Sequence, residues 1–319
     1  MAADGWIMWT RSAAPPAAAI RQALLALAAA LPVIALAAFA SGMPAAVWAV
    51  LGLVMGTTSG AFLDTARSVP LTIAAAAMVA GAAAAAGRAV LVGCIVAGAC
   101  VLAGLADRWS AGLLMLAPVT AVIAGSQRSA LSWPVLGGWV LAGALYGVTT
   151  VSLLHTHLHP RALSAGRAAL RTAMLATLCG TAAGLATALR LPHGYWIVLT
   201  LAVVLRPVVQ ESARRAVQRV AGTLLGVLIP IPLVLFLPRP AVVTIAAACV
   251  PGSVSYLFAG QYTRQTVLLT VAIVILVSGA SRASTLAAGE FRLAWTIVGA
   301  AVAAIAASTL WRIERDWPQ

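Results

Sequence analysis

The sequence predicts an all-α membrane protein, a bundle of about twelve transmembrane helices in two parallel six-helix repeats, and three observations predict it. Of 319 residues, 62% are hydrophobic and 8% charged, with a mean hydropathy of +1.02; soluble domains carry about a quarter charged residues. Apolar runs follow one another with short polar turns, and at about 20 residues per span the chain holds about ten to twelve of them with no room for a folded soluble domain. Landmarks of the first half also recur in the second, at a displacement near 150 residues.

Residues 1–20 form a polar tail with Asp4, Arg11 and Pro15-Pro16. The run 21–39 after it leads to further runs and no convincing cleavage site, so it reads as a span and not as a removable signal. Pro32 inside it is tolerated where neighbours satisfy the freed carbonyl. Gly42-Met43-Pro44 turns the chain into the run 45–63, which starts near Trp48 and carries Gly52, Gly56 and Gly60 for close helix packing. Asp64-Thr65-Ala66-Arg67 is a charged turn before the alanine-rich run 69–86, and Arg88 separates that run from 90–106. Asp107-Arg108-Trp109 marks an interface, with the tryptophan at headgroup depth. The fifth run ends at Gly125, and Gln127-Arg128 leads to 131–154, with Trp139, Gly143 and Gly147. The first repeat is therefore 21–154.

A polar linker, 155–171, follows. His155, His157 and His159 alternate, which in an extended segment sets them on one face, as a metal site requires. No carboxylate stands nearby to complete or orient such a site, so the segment reads as an interfacial loop, and neither metal nor cofactor is expected. The second repeat, 172–312, has runs at 172–189, 195–205, 220–237, 241–258, 266–279 and 293–310, before a tail at 313–319.

The repeats share more than their lengths. Met43-Pro44-x-x-x-Trp48 recurs as Leu191-Pro192-x-x-x-Trp196, Arg67 matches Arg215, Gly125 matches Gly279, and Trp139-x-x-x-Gly143 matches Trp295-x-x-x-Gly299. Six helices per unit give both copies one orientation, related by an axis along the membrane normal. With both termini cytoplasmic, most of the arginines fall on the inner side of a plasma membrane, as the positive-inside rule requires.

The net charge of +13 comes from arginine alone. These arginines are scattered singly between apolar runs, which excludes a nucleic-acid partner. Cys94, Cys100, Cys179 and Cys249 lie in apolar runs without metal or redox spacing and read as buried small hydrophobes. No phosphate-binding loop, metalloprotease motif, nucleophile elbow or carboxylate pair occurs, so no enzyme is expected.

The stretch 191–226 carries the chemistry. Tyr195 and Trp196 anchor an apolar run, Arg206-Pro207 breaks it, and Arg214, Arg215 and Arg219 precede Gly222 and Gly226. On a helix, Arg215, Arg219, Gly222 and Gly226 lie within about 80° of Glu211, on one stripe. Arg206 either snorkels or lines a broken helix, while Arg214 and Arg215 read as inner-surface charges. Arg219 lies a turn deeper; a central arginine costs about 2.5–3.5 kcal/mol, so it must face a cavity, a partner or an anion. Glu211 can pair with Arg215, which leaves Arg219 less compensated.

The order Tyr-Trp, apolar strip, Arg-Pro, basic segment, then Gln218-Arg219-Val220-Ala221-Gly222-Thr223-Leu224-Leu225-Gly226, resembles the repeat of the fusaric acid resistance protein-like family. The resemblance covers about half the chain, 167–312. That family includes bacterial aromatic acid exporters, and plant aluminium-activated malate transporters look related to it. The resemblance implies outward movement of organic anions such as aromatic carboxylates, through an anion channel or a coupled exporter. It marks Gln261, Tyr262 and Arg264 as a polar-aromatic mouth; Tyr262 either stacks on an aromatic acid or sits at the interface. Arg206, Arg214, Arg215, Arg219 and Tyr262 are then the pathway candidates, Gly222 and Gly226 the packing positions, and Glu211 and Glu290 the proton-coupling candidates, Glu290 being either that, if it lies in a cavity, or an exposed interfacial carboxylate. Leu71, Ala74 and Met78 stand in the first repeat where the second has Arg219, Gly222 and Gly226, which puts the basic pathway in the second half. Many relatives add a cytosolic domain for which this sequence has no room. The competing expectation is a scaffold whose basic cytoplasmic face binds a partner subunit or anionic lipid. The glycine-rich faces suit a homodimer.

Overall fold

The computed structural model describes residues 17–106, 116–126, 130–154, 165–205, 209–278 and 281–315. Those residues form thirteen helices and no strand: α1 (Ala17–Ser41), α2 (Met43–Phe62), α3 (Thr65–Ala84), α4 (Ala89–Ala106), α5 (Leu116–Ser126), α6 (Trp133–Leu154), α7 (Ala165–Ala188), α8 (Tyr195–Val204), α9 (Val209–Leu228), α10 (Pro230–Phe236), α11 (Arg239–Phe258), α12 (Tyr262–Ser278) and α13 (Arg282–Arg315). Helix is the form in which each segment satisfies its own backbone groups in lipid. Seven helical stretches are long and apolar enough to cross a membrane, over Met43–Gly60, Thr65–Ala84, Ala89–Ala106, Trp133–Leu153, Ala168–Ala188, Ser212–Phe236, which takes in α9 and α10, and Ala283–Thr309. The chain is a multi-span membrane protein.

Local chemistry sets the boundaries. Gly42, at φ 81°, lets the chain turn into α2, whose Pro44 occupies the first turn, where no amide donor is needed. Asp64 caps α3 by accepting from the Arg67 amide at 2.9 Å. The expected run 220–237 divides: α9 ends at Leu228 and Pro230 opens α10. The basic segment becomes the first turns of α9, residues 165–171 of the expected linker become the first turns of α7, and α13 starts well before the run at 293. The expected run 195–205 is the ten-residue α8, closed by Leu205.

The chain divides into two compact units, one of Ala29–Val220 with Ala294–Gln319 and one of Met1–Ala28 with Ala221–Leu293. In the larger, α2 and α6 meet backbone to backbone. A Cβ at Gly52 or Gly56 would strike the Val140 or Ala144 carbonyl, and one at Gly143 or Gly147 that of Ala49 or Leu53. Trp139 Nε1 ties the seam by donating to Ser41 Oγ at 3.0 Å. α4 packs on α7, and the short α5 and α8, buried along almost their whole length, pack on each other. α13 closes on α8 through Gly299, and Trp295 Nε1 donates to the Pro192 carbonyl at 2.8 Å. That carbonyl lies in the α7–α8 turn, where Arg190 (φ 49°) and His193 (φ 56°) take left-handed conformations.

In the smaller unit α11 packs on α12 around Val234, Val242, Ala246, Val271 and Ile275. Gly222 and Gly226 of α9 lie against Thr266 and Thr270 of α12. Burial of the cysteines holds for Cys100 and Cys179; Cys249 is half-buried and Cys94 is exposed on α4. An alanine- and glycine-rich helix buries little on each face, so a position in an apolar run does not by itself make a cysteine internal.

Candidate functional site

Helix α9 is apolar on one side and charged on the other, and it presents Ser212, Ala216, Arg219 and Thr223 inward at helical spacing. Arg214 is exposed and Arg215 half-exposed at the edge of the stripe. Arg219 is 3% exposed. Its Nε and Nη2 are shut off from solvent and have no hydrogen-bond partner among the described residues. Each such donor costs about 1–3 kcal/mol, more when charged. Toward the far end of the same stripe the backbone approaches α12: a Cβ at Gly222 would lie 3.0 Å from the Thr263 carbonyl oxygen, and one at Gly226 would lie 2.8 Å from that of Val267.

Two further arginines are buried that the sequence did not single out for a pathway. Arg171, expected as linker charge, is 3% exposed in α7 and donates through Nε to the Leu205 carbonyl at 3.4 Å. Leu205 ends α8, so a cation meets the negative end of that short helix. Arg292 in α13 is 1% exposed, although its place beside Glu290 reads as interfacial. A helical period with small residues around it was the available signal: charges in the middle of a helix that packs on all sides must go inward.

The remaining candidates are dispersed. Arg206 and the histidine triplet lie outside the described residues, and so does the side chain of Glu211 on α9. Glu290 is on the exposed face of α13. Tyr262 is half-buried at the start of α12. Its neighbour Arg264 is engaged: Nη1 donates to Gln261 Oε1 at 2.6 Å and the guanidinium lies over the Tyr256 ring at 5.8 Å. Among the described residues no group of three or more His, Cys, Asp or Glu side chains could hold a metal.

Helical threonines mostly satisfy themselves by donating to the carbonyl three or four residues back, as Thr72, Thr120, Thr172 and Thr266 do. Thr200, Thr223, Thr270 and Thr296 are buried and do not; their Oγ1 atoms have no partner among the described residues. In the α7–α8 turn, burial pushes the His193 imidazole below its ordinary pKa, and its Nδ1 lies 3.3 Å from the Tyr195 hydroxyl.

Residues 178–306 match the fusaric acid resistance protein-like family. The chain is 32% identical over 145 residues to the "Uncharacterized protein ORF2" of Neisseria gonorrhoeae, covering 45% of this chain and 33% of that protein. It is 29% identical over 126 residues to the "Inner membrane protein YccS" of Escherichia coli K12, covering 39% of this chain and 17% of that protein. The chain thus spans a third or less of these curated relatives. No solved structure matches it.

Proposed function

From the premise that residues 178–306 are a fusaric acid resistance protein-like domain, we propose that the chain moves organic anions, aromatic carboxylates among them, out of the cytoplasm across the plasma membrane. Its termini are then cytoplasmic and its role is transport, not catalysis. The observation that carries this reading is Arg219, buried with two guanidinium nitrogens that have no acceptor among the described residues. Such a charge is tolerated where an anion from solution completes it. Exposed Arg214 and half-exposed Arg215 raise the local anion concentration at the inner mouth. Arg206 and Tyr262 join the pathway, Tyr262 by stacking on an aromatic ring. Gly222 and Gly226 permit sliding of α9 on α12. Where transport is proton-coupled, the coupling group is Glu211 or Glu290.

Two parallel repeats, 21–154 and 172–312 joined by 155–171, form the frame of this proposal. The order α1 to α6 corresponds to α7, α8, α9, α11, α12 and α13, with α10 inserted. Two contacts support the correspondence. Gly143 faces the Ala49 carbonyl as Gly299 faces that of Ile197, and Trp139 donates to Ser41 as Trp295 donates to Pro192, each in the turn before the helix it packs on. A homodimer of such units fits the same frame.

Benzoate flux from proteoliposomes tests the proposal on the native chain, Arg219→Ala and the pair Arg214→Ala, Arg215→Ala. Loss with the single deep change and slowing with the surface pair is the expected pattern. The exposed Arg214 favours one rival, a scaffold binding a partner subunit or anionic lipid. A scaffold survives loss of Arg219, since a surface patch is additive in charge, and gives no flux for any anion tried.

A further inference from the structure

Two threonines on facing helices of the larger unit carry hydroxyls that no described residue uses. Thr200 in α8 is fully buried and Thr296 in α13 is 1% exposed; Oγ1 of each is closed to solvent and has no hydrogen-bond partner among the described residues. The seam between them is tight. A Cβ at Gly299, one turn beyond Thr296, would lie 2.8 Å from Thr200 Cβ and 3.1 Å from the Ile197 carbonyl oxygen. The usual remedy, donation to a carbonyl of the same helix, is taken by Thr172 and Thr187 in the neighbouring α7 and is not taken here. A buried hydroxyl without a partner is destabilising and needs an explanation outside the fold.

The first half of the chain contains the same seam in sealed form. At the displacements that pair Trp48 with Trp196 and Trp139 with Trp295, Thr200 corresponds to Gly52 and Thr296 to Val140. Those two are in direct contact, with Gly52 against the Val140 carbonyl. Where α2 and α6 close backbone on backbone, α8 and α13 set two hydroxyls.

The surroundings select the sign of the ligand. Buried Arg171 donates to the Leu205 carbonyl at the end of α8, and the one carboxylate whose side chain is described in the unit, Asp64, is exposed and paired with Arg67 at 3.7 Å. In a positive, low-dielectric setting a hydroxyl pair acts as a pair of donors. We propose that Thr200 and Thr296 donate their O–H groups to a dehydrated monovalent anion held in the α8/α13 seam, either the carboxylate of the transported acid or chloride. As a step in a passage this rests on the transport reading; as a binding site it does not.

The test is the isosteric pair Thr200→Val, Thr296→Val, with Thr200→Ser, Thr296→Ser keeping the hydroxyls. Melting temperature is measured in sodium sulfate alone, then with benzoate or with chloride, beside benzoate flux in proteoliposomes. Expected for the valine pair is melting at or above the native value in sulfate, no rise on adding either anion, and flux down about tenfold or more, the scale of lost bonds to a charged group. Native and serine-pair proteins melt higher with the bound anion, and the arm that shifts, benzoate or chloride, identifies it. The site is overturned by a valine pair that keeps native flux and the native anion shift, by one that melts well below native in sulfate, or by a native protein that neither anion shifts. A native anion shift without native flux, lost in the valine pair, upholds the site and overturns the transport reading. Should the double variant fail to fold, Thr296→Val alone is read by the same outcomes.

Discussion

Replacing Arg219 by methionine removes the charge and the two donors that have no partner among the described residues, while keeping most of the apolar stem. Leaving Nε and Nη2 unpaired costs about 1–3 kcal/mol each, so about 2–6 kcal/mol is recovered on deletion, less some lost packing. Replacing a buried charge by a well-packed apolar group gains about 1–4 kcal/mol in comparable cases. In anion-free buffer Arg219→Met is therefore expected to be more stable than the native chain, by about 2–4 kcal/mol. Its transport is expected to fall by about 10- to 150-fold, the equivalent of about 1.5–3 kcal/mol for bonds to a charged partner. Denaturant or thermal melting in detergent reads the first quantity and benzoate flux the second. A loss of about 3–5 kcal/mol in the anion-free melt would refute the reasoning, because that is the signature of breaking a buried ion pair. Arg219 would then belong to a protein partner such as Glu211, and the pathway would have to lie elsewhere.

Gly226→Ala puts a methyl 2.6 Å from Thr270 Cβ and 2.8 Å from the Val267 carbonyl oxygen; a cost of about 1–3 kcal/mol in melting is expected, with slower flux because α9 is pushed off α12. The Arg214→Ala, Arg215→Ala pair is expected to slow flux at low ionic strength and to match the native rate at about 1 M salt, where the screening length is about 3 Å. His193 has a folded pKa below the ordinary 6.5, so the unfolded chain binds the proton more readily. Its contribution to stability is complete above pH 6.5 and is lost as pH falls through the unfolded value toward the folded one. His193→Gln is expected to flatten that acid-side decline in a melting series.

Much of the helix register was legible. The runs read as 45–63, 90–106 and 131–154 correspond to α2, α4 and α6, because charged or Gly-Pro turns bracket them. Arg219 stood out for a physical reason, being a charge with no polar relief for several residues after it. What was not legible is which helix meets which. Helices apolar all round have no face to announce, so the burial of α8 and of the described part of α5 along most of their length shows only in three dimensions. Thr200 and Thr296 carry no signal in the sequence, because a threonine in an apolar helix ordinarily bonds to its own backbone, and only the three-dimensional packing reveals that these do not. Glu290 lies on the exposed side of α13, as an interfacial carboxylate does, while Arg292 two positions on turns inward, a difference that the two neighbouring charges do not announce in the sequence.

Helix α13 has an apolar window of 27 residues, whereas α8, which it grips through Gly299, has ten. At 1.5 Å per residue these are about 40 Å and about 15 Å, against about 30 Å of hydrocarbon. The long helix must lean to hide its apolar length, and it leans less in a thicker bilayer. Because its short partner cannot follow, the angle at which the two cross is set in part by lipid chain length. The same protein reconstituted in short-chain and in long-chain phospholipid is thus expected to hold that seam at different angles, and the proposed transport is expected to differ between the two bilayers.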